Sequence, residues 1–367
     1  MREQEAKFKK KYFQLPLPMT KEEQIANFDP NGVGLRNGHF IGLPFTEETA
    51  AVVFLSVPWD VTVSYGHGTA LAPENILESS TQLDLYDPQI PDAWKIGLYL
   101  KPSDPEILKL NHSLRGKAEL LIEELEFGDT VEDSPHLFDL QKEINKACEN
   151  LRKWVYTESN ALLDSGKLVG ILGGDHSVPL GYLQALSERH EAFGVLQIDA
   201  HCDLRPAYEG FVYSHASIFY NALAIPQMTK LVQVGIRDCC EQEVELAENS
   251  DGRIHIFYEE QLRQEQFTGR DWADQVEEIV ATLPPLVYIS FDIDGLDPKL
   301  CPNTGTPVPG GLELSEAFYL LKRVVDSGRR IIGFDLCEVG GRGKTWDGNV
   351  GARVLYRLGN LLGSADV

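Results

Sequence analysis

From residue 51 onward the chain repeats one alternation: a short apolar run, a polar break, then a longer stretch whose apolar residues recur every three or four positions. The short runs fall at 51–57, 94–100, 167–172, 194–199, 230–235, 254–257, 287–292 and 331–337. Several are apolar throughout instead of alternating with polar residues, which is the pattern of a parallel strand covered on both faces. The longer stretches at 137–163, 314–325 and 349–362 have helical periodicity. In the last, Val350, Val354, Leu355, Leu358, Leu361 and Leu362 fall on one stripe. Strands alternating with helices predict an α/β fold with a mostly parallel sheet between helical layers. Such sheets bind ligands beyond the carboxyl ends of their strands.

Two regions depart from the alternation. Residues 1–50 show no clear apolar period before 37–43 and carry Pro16, Pro18, Pro30 and Pro44. They read as an N-terminal extension that wraps the domain or reaches a neighbouring subunit, with 51–367 as one domain. Residues 101–134, with the acidic run 123–132, read as a partly exposed insertion. No internal repeat or low-complexity tract is present. The 367 residues and 43% hydrophobic content suit one large α/β domain, and a net charge of −23 argues against nucleic-acid binding. Charges crowd the N-terminus where a signal peptide needs an apolar core, and no stretch approaches a membrane span, so a cytoplasmic location is expected. The six cysteines show no CxxC spacing and are expected to be buried, reduced thiols.

The candidate chemistry lies at three strand ends: GGDHS at 173–177, DAHCD at 199–203 and SFDIDGLDP at 290–298. Acidic and imidazole residues recur every second position in the last two. Continued strand geometry would put Asp199, His201 and Asp203 on one side, and Asp292 and Asp294 likewise. With His176 the set is two imidazoles and four carboxylates. Four negative charges converging in a low-dielectric interior call for cations, close to two divalent ions. Mixed oxygen and nitrogen ligands suit manganese, nickel, cobalt or iron(II). Two such ions sharing a water make a nucleophile at neutral pH, so the chemistry implied is hydrolysis.

GGDHS, DAHxD and SFDxDxxDP in this order resemble the signatures of the ureohydrolases, the arginase and agmatinase family, which cleave guanidinium groups to urea and an amine. The resemblance spans 51–362. It implies a three-layer α/β/α sandwich with an eight-stranded mostly parallel sheet, with 51–367 as the catalytic domain. It implies two divalent metal ions per chain, manganese or nickel. His176, Asp199, Asp203 and Asp292 would hold one, and Asp199, His201, Asp292 and Asp294 the other, with Asp199 and Asp292 bridging. It also implies that His215 shuttles protons to the leaving amine, for which a near-neutral pKa is expected, that Glu338 grips the guanidinium and that Thr306 lines the same pocket. A homo-oligomer, trimer or hexamer, is the assembly expected, and a small cationic guanidinium compound the partner, with neither nucleic acid nor membrane.

Departures from the family pattern bear on substrate. Arginases keep an Asn two residues past the last Asp of DAHxD, where this chain has Arg205, and an acidic residue three past the Arg of GLRD, where this chain has Cys240. Free arginine is therefore disfavoured. The segments SYGHGT at 64–69, CPNTGTP at 301–307 and EVGG at 338–341 resemble the agmatinase-like guanidine hydrolase branch, which favours guanidine and nickel. Agmatine and guanidino acids are the alternatives, followed by arginine and the formimidoylglutamase reaction. Trp346, Tyr65 or His67 would close the entrance, and Glu209 is the candidate for a distal ammonium. Outside the class, the alternative is a catalytically silent binding homologue, which a lost ligand would favour, whereas all six are present. A two-metal phosphatase would leave Glu338 unexplained.

Overall fold

The computed structural model describes residues 19–341 and 343–364. Among these, eight strands form one sheet: β1 (Val52–Val57), β2 (Leu98–Lys101), β3 (Leu168–Gly173), β4 (Phe193–Ile198), β5 (Met228–Ile236), β6 (Ile254–Tyr258), β7 (Leu286–Asp292) and β8 (Arg330–Cys337). Their order is β2-β1-β3-β8-β7-β4-β5-β6, and every pairing is parallel. All six residues of β1 and of β4 are buried, which is why these runs are apolar on both faces apart from Ser56 and Gln197.

Eleven helices accompany the sheet among the described residues: α1 (Lys21–Asn27), α2 (Ala72–Ser80), α3 (Pro105–Glu126), α4 (Pro135–Asp164), α5 (Leu180–Ser187), α6 (Ile218–Ala222), α7 (Glu241–Glu248), α8 (Glu259–Phe267), α9 (Trp272–Ala281), α10 (Leu314–Asp326) and α11 (Thr345–Ser364). Helices α2, α9, α10 and α11 bury Ile76, Ile279, Leu320 and Val354 against Phe54, Ile289 and Phe334. On the other face α3, α4, α5 and α6 bury Leu114, Ile144, Tyr182 and Phe219 against Leu55, Ile171 and Val195. The result is the expected three-layer α/β/α sandwich.

One expectation needs correction. The run at 94–100 is not one strand: Ala93–Ile96 form a 3-10 turn, Gly97 takes φ 82°, and β2 starts only at Leu98. The segment 101–134 is largely the helix α3, capped by Asp104, whose side chain accepts from the N–H groups of Glu106 (2.8 Å) and Ile107 (3.2 Å). Its stripe Leu114, Ala118, Leu121 and Ile122 is buried, and the charges that obscured the period lie on its solvent face. Of the N-terminal extension, residues 1–18 lie outside the described residues. Phe40, Ile41, Leu43 and Phe45 belong to the core, and Ile41 N–H donates to Ser80 Oγ at 2.8 Å. Among the described residues no helix is long and apolar enough to cross a membrane.

The four strands at the middle of the sheet are β3, β8, β7 and β4. Their carboxyl ends carry His176, Glu338, Asp292 with Asp294, and Asp199 to Asp203. Sheet order, not sequence order, brings these segments together.

Candidate metal centre

His176 leaves β3 through a tight turn. Gly174 N–H donates to Val57 O (3.2 Å) and Asp175 N–H to Trp59 O (2.7 Å), and a Cβ on Gly174 would stand 1.7 Å from the Trp59 carbonyl oxygen. Only glycine allows this approach. The turn aims the buried His176 ring inward, edge-on to Phe219 at 5.7 Å. Nδ1 stands 2.9 Å from Asp199 Oδ2, 2.9 Å from Asp203 Oδ2 and 3.3 Å from Asp292 Oδ2. Across the centre, His201 Nδ1 is 3.1 Å from Asp294 Oδ2 and 3.6 Å from Asp199 Oδ1.

The carboxylates are held by the backbone of their own loops. Asp292 Oδ1 accepts from Asp294 N–H (2.9 Å), and Asp294 Oδ1 from Ala200 N–H (3.0 Å). Each keeps its second oxygen for the centre. Asp199 Oδ1 accepts from His201 N–H at 2.7 Å. Strand alternation alone does not produce the cluster: β4 ends at Ile198, and Asp203, with φ 56°, turns back toward His176. Two groups of ligand atoms result, each within 4.8 Å of one another: His176, Asp199 and Asp292, and Asp199, His201 and Asp294. Asp199 is common to both, whereas Asp292 falls in the first only. Asp203 joins beside His176.

The electrostatics call for cations. Burial, then the charges of Asp294 and Asp199, hold the Asp292 carboxyl well above its ordinary range; burial and Asp199 push Asp203 up to about 7. Burial disfavours a charged His176, yet Asp199, Asp203 and Asp292 raise it well above the usual imidazole value. Among the described residues no Lys or Arg pairs with these carboxylates, and burial beside Asp199 favours the protonated form of Asp292 and Asp203 unless cations are present. The chain also offers an aimed ligand atom. His176 Nδ1 is buried and makes no aligned hydrogen bond among the described residues, although two carboxylates stand 2.9 Å away. Two imidazoles among four carboxylates fit a pair of divalent ions.

Glu338 follows β8 with φ 62° and is 2% exposed. Its N–H donates to Gly174 O (2.8 Å) and its Oε1 accepts from His176 N–H (3.1 Å). Among the described residues Oε2 has no partner, and a Cβ on Gly305 would come within 2.7 Å of it. Burial, then Asp292, Asp175 and Asp294, hold this carboxyl well above its ordinary range. Thr306 Oγ1 donates to Asp294 Oδ2 at 3.4 Å. His215 opens a single 3-10 turn, with Nε2 3.4 Å from Ser64 Oγ and the ring edge-on to Tyr208 at 6.0 Å. Its pKa is not near neutral: burial, then the charge on His201, pushes it down to about 3.

A cleft of about 260 Å3 opens onto this centre, bordered by Tyr65, His201, Asp203, Arg205, His215 and Thr306. The Arg205 guanidinium lies 4.9 Å over the Tyr208 ring and its Nε is 3.9 Å from Glu243. Cys240 precedes α7 and its N–H donates to Glu243 Oε2, while Cys239 borders the cleft. Of the proposed wall residues only Tyr65 is in place. Trp346 Nε1 donates to Lys299 O (3.0 Å) and faces a groove with Leu35 and Arg353. His67 is 3.8 Å from Glu119, and Glu209 faces a separate hollow with Leu125 and Phe138. Loop paths decide these directions, and sequence spacing does not encode them.

Four buried residues beneath the centre were not anticipated: Gln197, Gln233, Ser290 and Asp335. The available signal was a polar residue inside an otherwise apolar strand.

The profile of the arginase family matches residues 50–345. The chain is 31% identical over 316 residues to the N(1)-aminopropylagmatine ureohydrolase of Thermus thermophilus, covering 86% of this chain and 92% of that protein. It is 30% identical over 246 residues to the proclavaminate amidinohydrolase of Streptomyces clavuligerus, covering 63% and 77%. Among solved structures, the agmatine ureohydrolase of Thermoplasma volcanium superimposes with a TM-score of 0.65 at 22% identity, covering 93% of this chain and 97% of that one. The chain therefore belongs to the arginase family, metal-dependent amidine hydrolases with a binuclear divalent metal site.

Proposed function

We propose that the chain hydrolyses free guanidine, its guanidinium cation and water giving urea and ammonium. The observation that carries this reading is Glu338 Oε2, a buried carboxylate oxygen without a partner among the described residues and walled by the backbone of Gly305. A planar cation with several N–H donors satisfies such an oxygen, and the close wall favours one without a tail. His176, Asp199 and Asp292, with Asp203, would hold one ion, and Asp199, His201 and Asp294 the other, manganese or nickel. When bound, the pair supplies a water acidic enough to ionise at neutral pH.

The remaining steps belong to side chains. Glu338 orients the guanidinium carbon toward the centre, and the Thr306 hydroxyl steadies Asp294 beside it. His215, kept neutral by burial, accepts the proton released as water adds to the guanidinium carbon and hands it to the departing nitrogen. A second reading, agmatine hydrolysis, is favoured by Asp238 and Glu243, which border the outer cleft and would meet a distal ammonium.

Urea release compared across guanidine, agmatine, guanidinobutyrate and arginine, with manganese and with nickel, tests the reading. Arginine loses a charge-assisted hydrogen bond at Cys240, worth roughly 1.5–3 kcal/mol. The kcat/KM for guanidine should therefore exceed that for arginine by at least about tenfold, with agmatine between. Arginine turning over fastest would overturn the assignment.

A further inference from the structure

Four polar residues occupy one level of the sheet. Gln233 of β5 pairs in register with Gln197 of β4, Gln197 with Ser290 of β7, and Ser290 with Asp335 of β8. All four are 0% exposed. Polar side chains buried in a parallel sheet cost stability unless each is hydrogen-bonded, so the direction of their bonds shows what they serve.

The bonds run to the metal centre in two arms. Gln233 Nε2 donates to Gln197 Oε1 (2.6 Å) and Cys202 O (2.7 Å). Gln197 Nε2 in turn donates to Asp199 Oδ2 (2.8 Å) and His201 O (3.1 Å). In the other arm Ser290 Oγ donates to Asp335 Oδ2 at 2.8 Å and stands 2.9 Å from His176 Nε2. A hydroxyl has one proton, and a carboxylate accepts it. His176 Nε2 must therefore carry hydrogen and donate to Ser290 Oγ, which leaves Nδ1 as the nitrogen that would give up its proton and offer a lone pair when a cation binds.

We propose that this row is a positioning layer for the two ions: Ser290 with Asp335 fixes the tautomer and ring of His176, and Gln197 with Gln233 fixes the shared carboxylate Asp199. The proposal rests on the two-ion reading of the centre. The arms divide the labour. Ser290 acts on the ion that His176 would hold, whereas Gln197 acts on both through Asp199.

The test is equilibrium dialysis of chelator-stripped protein against manganese(II), counting bound ions by elemental analysis, with the unfolding midpoint of each stripped protein measured alongside. Wild type should bind two ions. Ser290→Ala should weaken one by about 10–100-fold and leave the other unchanged, at a midpoint close to wild type. Asp335→Asn keeps an amide oxygen that still accepts from Ser290, so it should weaken the same ion by less. Gln197→Met should weaken both. Manganese binding unchanged in all three variants would overturn the proposal. So would equal loss of both ions in Ser290→Ala with a collapsed midpoint, which is the mark of a merely structural role. Wild type binding fewer than two ions would instead defeat the two-ion reading on which the row depends.

Discussion

His215 shows how placement changes what a residue type is able to do. An exposed histidine titrates near 6.5, but burial and the neighbouring His201 push this one down to about 3. Between those values the unfolded chain binds a proton that the folded chain refuses. Stability contributed by neutral His215 is thus present above about pH 6.5 and is lost as pH falls toward 3. His215→Asn should flatten this acid arm in a series of melting temperatures. It should also lower kcat by about 10²–10⁴ while metal content stays at the wild-type level, the expected size of an acid–base contribution. Wild-type turnover in the variant would remove His215 from the reaction.

At the scale of elements, the site depends on four neighbouring strands ending in short, stiff turns. The turn after β3 is the least tolerant, because Gly174 lies against the backbone of Trp59 with no room for a Cβ. Gly174→Ala should displace His176 and Glu338 together, since Glu338 N–H is bonded to Gly174 O. A loss of more than about 2 kcal/mol in chemical denaturation, with reduced manganese binding, is expected. Unchanged stability and binding would mean that the turn adjusts freely. The candidate ligands were legible in the sequence because each set is local: His176 within one turn, Asp199 to Asp203 within five residues, Asp292 with Asp294 two apart. The row of Gln233, Gln197, Ser290 and Asp335 was not, because strand order and register alone make neighbours of residues from four separate segments. Helix α3 was hidden for a different reason: the acidic residues on its solvent face masked a narrow apolar stripe.

For the whole molecule, the three-layer architecture followed from the alternation of runs, since strands buried on both faces read as continuous apolar segments. The directions of Trp346, His67 and Glu209 did not follow, because long connections set them. A net charge of −23 and a carboxylate-rich centre both favour cations, and the buried carboxylates give the requirement for divalent ions a specific location. The most direct measurement is urea release by chelator-stripped protein as manganese or nickel is added in known equivalents. Activity should be absent in the stripped protein and rise to a plateau at two ions per chain. Full activity in stripped protein, or a plateau at one ion per chain, would contradict the binuclear account.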